Sequence, residues 1–487
     1  MPLRPFSRDQ VWLLPPSLND FLAPDHPARF VAAVLDEHGS QLGPEWEEEV
    51  QGDPRGAPAY DPRALLAIWV YGFMVGVRSC RKLEAACRDQ IPYLWLSGNQ
   101  RPDHNTLWRF YEAHRQAMRV LLKRTVRVAV GAGLVNLALQ AVDGTKVGAS
   151  AGRDRTLDAE GLRRLLARTE AAIAALEGEN ATGGDPPPPR LPEELEEQRA
   201  LHERVKAALE QVRAEEGPQW VNLTDPDARL LKTSGGTGFV TGYNAQAMVS
   251  PISVGEQQGM LITAVGVVAE GDDHSQLQPM MAQAREHTGQ REGVTTLADA
   301  GYYSGANLQV AQGHQVLVAE PQGRKREGNP YHKDHFIYDA PGDAWRCPQG
   351  QSLTFVWAER HKGGYQVRVY QAAGKVCQQC PAFGQCTKSP QGRRLKMGEY
   401  EQVRQRHREL MQQEDIKSLY RRRKALVEPV FGMIKEQQGG RRFLLRGLAN
   451  VQAEWSLLAI GLNLKSLYRA WKARLLGGRG PALACAA

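Results

Sequence analysis

Three carboxylates, far apart in the chain, stand where metal-dependent phosphoryl transfer needs them. Asp143 follows the apolar run 137–142, and Asp299 follows the apolar run 294–298. Each run predicts a buried strand. Glu428 lies in a stretch with the pattern of a helix. Carboxylates at two strand ends and on a helix can hold two divalent metals about 4 Å apart, and oxygen-only ligands favour Mg²⁺ or Mn²⁺.

The stretch around Glu428 is strongly basic. From Tyr420 to Arg446 there are eight Lys or Arg residues and two Glu residues, in a chain of net charge +7. Such clustering of positive charge indicates a polyanionic partner. A solvated basic helix is the alternative, and it is weakened by the presence of Glu428 inside the run.

These segments resemble those of bacterial insertion-sequence DDE transposases, which have an RNase H-like catalytic core. Asp143 stands in the Asp-Gly-Thr context of that family, and Asp299 stands in its Asp-x-Gly-Tyr-x-Ser context. Glu428 matches the last acid of the family. The resemblance is to the long, cysteine-insert-bearing group of the IS4-like/IS5-like superfamily, and it covers most of the chain.

The Tyr–Arg–Glu–Lys signature of the family is matched in part. Glu428 is followed by Lys435 seven residues later, as in the family. Tyr420 is one residue earlier than the family pattern, and Lys424 stands where Arg is usual. The resemblance implies that Lys435 neutralises a DNA phosphate, and that Tyr420, Arg423 and Lys424 position the DNA.

The resemblance implies an α/β fold, with an RNase H-like mixed sheet flanked by helices. It implies a transposase that cleaves and transfers DNA strands at insertion-sequence ends, with Asp143, Asp299 and Glu428 binding two Mg²⁺ (or Mn²⁺) ions. The expected partners are double-stranded DNA, as terminal inverted repeats and target, and a second copy of the chain in a homodimer on DNA.

The predicted elements divide the chain, and the resemblance implies the role of each part. A helical N-terminal DNA-binding domain is expected at 1–133 and the catalytic domain at 134–470. A helical-hairpin insert at 155–215 and a small β-rich cysteine insert at 325–400 interrupt the catalytic domain, and a tail follows at 471–487. The hairpin could be a solubilising arm, or a dimerisation or DNA-clamping element.

The N-terminal region contains short helices separated by tight breaks. Asp61, Ser79 and Asp103 stand at predicted helix starts. This pattern is similar to a helix-turn-helix-like DNA-binding region, with a packing or dimer surface as the alternative. The candidate phosphate contacts are Arg78, Arg81, Lys82 and Arg109.

Two further acids precede a predicted helix in the segment between the two apolar runs that lead to Asp143 and Asp299. Asp272 and Asp273 stand before an apolar pattern that begins at Leu277. Acids at a helix start are most simply N-cap residues, so no role in the site is predicted for them.

The chain has seven cysteines, an odd number that argues against a disulfide framework. Four of them lie in the second insert, and two of these have the Cys-x₂-Cys spacing of a zinc knuckle. A structural Zn²⁺ site would stabilise an insert that has little apolar core. The alternative is four reduced thiols. The four residues are Cys347, Cys377, Cys380 and Cys386.

No apolar run approaches the ~18 residues of a membrane span, and the first residues lack a signal-peptide core. We therefore expect a cytoplasmic, nucleoid-associated protein that does not enter a membrane. Two other functions stay open at this point. One is a catalytically inactive DNA-binding relic or regulator, and the other is a nuclease of the same fold that does not join strands.

Overall fold

The computed structural model describes residues 17–39, 58–181, 191–214, 217–233, 238–309, 314–321, 328–360 and 366–475. The Gly/Pro-rich segment 183–189 of the predicted helical-hairpin insert, and the predicted tail from residue 476 onwards, lie outside these residues.

The N-terminal region is helical, and three of its helices begin at the predicted residues. Asp61, Ser79 and Asp103 cap three of the helices through side-chain oxygens that accept backbone N–H groups two or three residues on. Capping depends on neighbouring residues only, and this is why these starts are confirmed. The described helices before the sheet are α1 (Pro27–Gly39), α2 (Pro62–Val75), α3 (Cys80–Asp89), α4 (Ile91–Leu96) and α5 (His104–Gly131).

The second of these helices, α2, is unusually apolar. Ten of its 14 residues are buried inside the protein. Taken singly, no described helix has the length and apolarity needed to cross a membrane. The pair α2 and α3, bent by 102°, meets that test by length and composition alone.

The central sheet has six strands and mixed direction. The chain after α5 forms β1 (Leu139–Gly148), β2 (Thr156–Leu157), α6 (Ala159–Ala181), α7 (Leu191–Arg213), β3 (Val221–Asn222), β4 (Arg229–Lys232), β5 (Phe239–Val254), β6 (Gln257–Val268), α8 (Leu277–Thr288), β7 (Val294–Ala298), α9 (Gly305–Leu308) and β8 (His314–Val318). Four of the strands have the order β5-β1-β7-β8, and β4 and β6 also pair with β5. β5 is antiparallel to β1, β4 and β6, whereas β1, β7 and β8 are parallel. The predicted α/β fold with a mixed sheet is confirmed.

The helices α6 and α7 leave the sheet and return to it. They pack on each other around a small apolar cluster that includes Leu162, Val205 and Leu209. The short strands β2 and β3 pair at their base, with Thr156 opposite Asn222. This pairing joins the two ends of the helical pair to each other.

The remaining elements are β9 (Ile337–Asp339), β10 (Ala344–Arg346), β11 (Ser352–Arg360), β12 (Gln366–Gln371), α10 (Gly374–Gln378), β13 (Arg394–Gly398), α11 (Glu401–Gln412), α12 (Glu414–Gln437) and α13 (Leu448–Leu475). A second sheet has the order β13-β12-β11-β10-β9. Phe336, Trp345 and Leu353 are buried in an apolar cluster on this sheet. The cysteine-containing segment therefore has some apolar core of its own.

One large core joins the N-terminal helices to the central sheet. It includes Trp69 of α2, Ala247 of β5 and Trp455 of α13. Because α13 packs against α2, α5 and β6, the helices of the region expected at 1–133 share one hydrophobic core with the central sheet.

Candidate active site

Asp143 and Asp299 lie side by side on the central sheet. β1 and β7 are parallel neighbours in which Ala141 lies opposite Leu297. Asp143 comes two residues after Ala141, and Asp299 comes two residues after Leu297. The two aspartates are therefore level with each other, just beyond the paired residues. Neighbouring strands are about 4.8 Å apart, which places the two carboxylates within direct electrostatic reach.

The local structure around the two aspartates differs. β7 ends at Ala298 as predicted, and Asp299 begins a short 3₁₀ turn, accepting the N–H of Gly301 at 2.9 Å. Asp143 was expected at a strand end, and this is wrong. β1 continues to Gly148, because β5 pairs with it past the aspartate and places Ala247 opposite Asp143.

Both aspartates have a raised pKa. Burial is the main cause for Asp143, and the charge of Asp299 adds to it, while the guanidinium of Arg423 opposes the rise. Burial is also the main cause for Asp299, where the charge of Asp273 adds to it and Arg423 again opposes it. Ionised carboxylates this close repel each other, so a positive charge placed between them stabilises the ionised form.

Tyr420 and Arg423 stand one turn apart on α12, and they contact the end of β7 and Asp143 within β1, respectively. Arg423 Nη1 donates to Asp143 Oδ2 at 2.9 Å, and the Tyr420 hydroxyl donates to Ala298 O at 3.0 Å. Lys424 is exposed. Arg423, and not Lys424, therefore reaches the carboxylates.

Lys435 lies next to the aspartate pair. Its Nζ donates to Thr145 Oγ1 at 2.5 Å. Thr145 is two residues after Asp143 on β1, and alternate residues of a strand share one face. Burial lowers the pKa of Lys435, and the nearby charge of Arg441 lowers it further.

Glu428 is exposed on α12. It stands between Val427, which is buried, and Pro429, which is exposed. Pro429 has no backbone N–H and removes one helical hydrogen bond at this point. Across the described ranges, no group of three or more His, Cys, Asp or Glu side chains is placed to hold a metal ion. The structure thus brings together two of the three predicted carboxylates, and the role of Glu428 stays a prediction.

A carboxylate that the sequence did not point to lies beside the pair. α8 begins at Leu277 with Gln276 as its N-cap residue, so Asp273 is not the predicted cap. Its Oδ1 accepts the side-chain amides of Asn244 at 2.8 Å and Gln246 at 2.6 Å. The amide side chains of Asn244 and Gln246, which alternate with small residues in β5, were the sequence signal for such a partner.

Two glycines make room for Asp273. A Cβ added at Gly144 would lie 2.7 Å from Asp273 Oδ1, and one added at Gly301 would lie 3.0 Å from Asp273 Oδ2 and from Asp299 Oδ1. Buried Tyr302 donates its hydroxyl to Gln246 Oε1. The glycines that follow Asp143 and Asp299 in the two motifs therefore leave space for a third carboxylate.

The aspartate pair fits a divalent cation. Its donors are oxygens only, as Mg²⁺ and Mn²⁺ prefer. Burial raises the pKa of both Asp143 and Asp299, and a divalent ion bound to the pair would stabilise the ionised carboxylates. Arg423 supplies part of that charge in the structure described.

The predicted phosphate contacts of the N-terminal helices have two different environments. Arg81, Lys82 and Arg109 are exposed and stay candidates. Arg78 is 7% exposed and forms an ion pair of 2.9 Å with Glu454, which is 1% exposed. Arg78 is a structural residue here, because long-range packing of α13 buries it away from any DNA phosphate.

The four cysteines of the second insert line one small cavity: Cys347, Cys377, Cys380 and Cys386. None is in a disulfide. Backbone N–H groups donate to two of the sulfurs, Gln351 N to Cys347 Sγ at 3.2 Å and Arg393 N to Cys377 Sγ at 3.4 Å. Although the thiols share a cavity, they do not form a ready ligand cluster within the described residues, so zinc stays a prediction.

Two family models match the chain. The model described as "Transposase DDE domain" matches residues 346–468, and the model described as "Transposase domain (DUF772)" matches residues 16–113. The first match includes Glu428 and Lys435 but neither Asp143 nor Asp299. No curated protein matches the chain. The two matches support a DDE transposase, an enzyme class that acts on DNA and depends on divalent metal.

Proposed function

We propose that this chain is a transposase that cleaves DNA strands at insertion-sequence ends and transfers the freed strand to target DNA. The proposal depends above all on Asp143 and Asp299, level on adjacent parallel strands and covered by Arg423. The antiparallel strands on one side of β1 and the parallel strands on the other support an RNase H-like core.

Asp143 and Asp299 would hold Mg²⁺ or Mn²⁺, with Glu428 completing the ligands for two ions. When bound, such ions lower the pKa of the attacking water or hydroxyl and stabilise the leaving oxygen. The exposed position of Glu428 on α12 makes this residue the part of the proposal that most needs a direct test.

The other side chains near the pair would act on the DNA. Arg423 balances the charge of Asp143 and would contact the phosphate to be cut. Tyr420 holds α12 against the end of β7 through Ala298 O. Lys435, bonded to Thr145, would neutralise a neighbouring phosphate. Lys424, exposed on the same helix, would contact the DNA further out.

The DNA ends would be bound by the N-terminal helices and by a second copy of the chain. Arg81, Lys82 and Arg109 are exposed cations that would contact phosphates of the terminal inverted repeats. Cutting two ends of one element requires two active sites, which a homodimer on DNA provides. Such a protein would work in the cytoplasm, on the nucleoid.

We also propose a structural Zn²⁺ ion in the cysteine-containing insert. The cavity shared by its four cysteines and the N–H groups directed at two of the sulfurs support a thiolate site. Four thiolates are a usual ligand set for structural zinc, and the bound ion would add to the stability of the small apolar cluster beside it.

A cleavage assay tests the proposed function on DNA that carries the terminal repeats of the element. Asp143→Asn, Asp299→Asn and Glu428→Gln should each abolish cleavage in Mg²⁺ while DNA binding persists, because a carboxamide keeps the size and loses the charge. Exposed acids serve as matched controls: Asp89→Asn on α3 and Glu414→Gln on α12 should cut like the wild type.

The products decide between the alternatives. Joined strand-transfer products support a transposase, whereas cleavage without joining would indicate a nuclease of this fold. A wild-type protein that binds the ends but cuts in neither Mg²⁺ nor Mn²⁺ would be a regulator or relic. A variant that cuts at nearly the wild-type rate removes its residue from the site.

A further inference from the structure

A cleft of about 660 Å³ has one end of its lining at Thr145, two residues after Asp143 on β1. Thr145 shares a face of β1 with Asp143, and Lys435 joins the two walls of the cleft through its hydrogen bond to Thr145. We call this cleft the basic groove. The end of the basic groove at Thr145 therefore lies near Asp143.

The lining of the basic groove is positively charged. Its charged residues are Lys146, Arg153, Lys435, Arg441 and Arg442, and no acid is among the described residues that line it. Glu436, outside the lining, pairs with Arg441 and offsets only part of this charge. Such an excess favours a sugar–phosphate backbone.

Arg442 gives the basic groove a fixed wall. Its guanidinium donates to Ala149 O at 2.7 Å and to Ala151 O at 2.9 Å, joining the segment after α12 to the chain after β1. The groove is therefore held open by bonds between two distant segments.

An aromatic ring stands in the same lining. Phe239 is 49% exposed at the start of β5, opposite Lys232 of β4. A second cleft, of about 550 Å³, shares Lys146 with the basic groove and is lined by Trp220, which is 37% exposed. Cations with exposed aromatic rings between them are typical of surfaces that bind unpaired nucleic acid, because every base can stack on a ring.

We propose that the basic groove binds a single-stranded DNA segment next to the aspartate pair, with Phe239 stacking on one base. In a duplex the bases are already stacked on each other, so the exposed ring selects an unpaired strand. This proposal deepens the proposed function and depends on it for the identity of the strand, which would be the one cut or transferred.

Fluorescence anisotropy tests the proposal on the full chain, without metal, with a labelled 12-nucleotide oligothymidine and a duplex of equal length. Phe239→Ala should weaken single-strand binding by roughly five- to 150-fold, the effect of one lost base–aromatic stack. Duplex binding should change by less than about twofold, and Phe239→Trp should restore single-strand binding. Phe383→Ala removes a ring of similar exposure (39%) outside the groove and should bind like the wild type.

A stacked base has a spectroscopic signature as well. A 2-aminopurine placed within the oligothymidine should be quenched by the wild type and much less by Phe239→Ala. Equal loss of single-strand and duplex affinity, or no loss of either, would overturn the proposal. A protein that binds single strands in this way but cuts no DNA would refute the proposed function and leave the groove assignment standing.

Discussion

Breaking the buried ion pair between Arg78 and Glu454 with a single substitution should strongly lower the free energy of unfolding. Glu454 is 1% exposed and also accepts the N–H groups of Leu444 and Leu445, all at 3.1 Å. In Arg78→Met the carboxylate stays buried without its counter-charge. Loss of one partner from a buried pair costs about 3–5 kcal/mol, and the two remaining N–H donors favour the lower end.

The expected change in melting temperature follows from the size of the chain. An unfolding entropy of about 2.1 cal/mol/K per residue over 487 residues gives roughly 1 kcal/mol/K. A cooperative transition should therefore fall by about 3–5 °C in Arg78→Met, measured by circular dichroism at pH 8. The exposed Arg81→Met on the same helix is the matched control and should change little.

The pH dependence of the stability deficit in Arg78→Met tests whether the unpaired charge of Glu454 causes it. Burial raises the folded-state pKa of Glu454 above its ordinary value of 4.5, and Arg78 opposes that rise, so the pKa rises further in Arg78→Met. A carboxyl group with a raised pKa stabilises the fold while it is protonated. This stabilisation is fully present below pH 4.5 and is lost as the pH rises through the folded-state pKa. The deficit of Arg78→Met should therefore shrink as the pH falls towards 4.5.

A double variant completes the test. Replacing both partners, as in Arg78→Met with Glu454→Leu, leaves no unpaired charge, and such replacements are often neutral or stabilising. The double variant should therefore melt above Arg78→Met. A deficit that does not depend on pH, together with a double variant no more stable than the single one, would refute the reasoning.

Three further outcomes are expected. The folded-state pKa of Asp299 is raised above 3.8, so its contribution to stability is present below pH 3.8 and lost as the pH rises through the folded-state pKa. Asp299→Asn should thus melt above the wild type in EDTA at pH 7 and equal to it at pH 3.5; an equal gain at both values would contradict this. Cys377→Ser should lose about one zinc per chain by elemental analysis and lower the melting temperature in zinc, and a metal-free wild type would end that prediction. Lys435→Ala should lower the slope of log affinity against log salt by about one unit for duplexes of any sequence, and an unchanged slope would remove Lys435 from the DNA contacts.

The sequence by itself determined the features that depend on near neighbours. The helix starts at Asp61, Ser79 and Asp103 were predictable because a cap uses a side chain and a backbone N–H two or three residues away. The strand before Asp299 was predictable from an apolar run. The acids of two motifs pointed to one site, because each follows an apolar run that predicts a buried strand, and buried parallel strands can be neighbours in one sheet.

Only the tertiary structure decided which partners those residues meet. Arg78 and Arg81 lie three residues apart and look equivalent in the sequence, yet α13, more than 360 residues later, buries the first against Glu454 and leaves the second exposed. Asp273 looked like a helix cap because its partners, Asn244 and Gln246, lie on a strand 27 to 29 residues earlier.

The same limit applies to α12. Helical spacing shows that Tyr420 and Arg423 share a face, but not whether that face or the one with Lys424 and Glu428 turns to the sheet. The packing of buried Val427 and Ile434 against the core sets that rotation, and it directs Arg423 to Asp143 while Glu428 points to solvent. Periodicity fixes the angles between side chains on one element, whereas the partner across the interface depends on the burial free energy of the whole core.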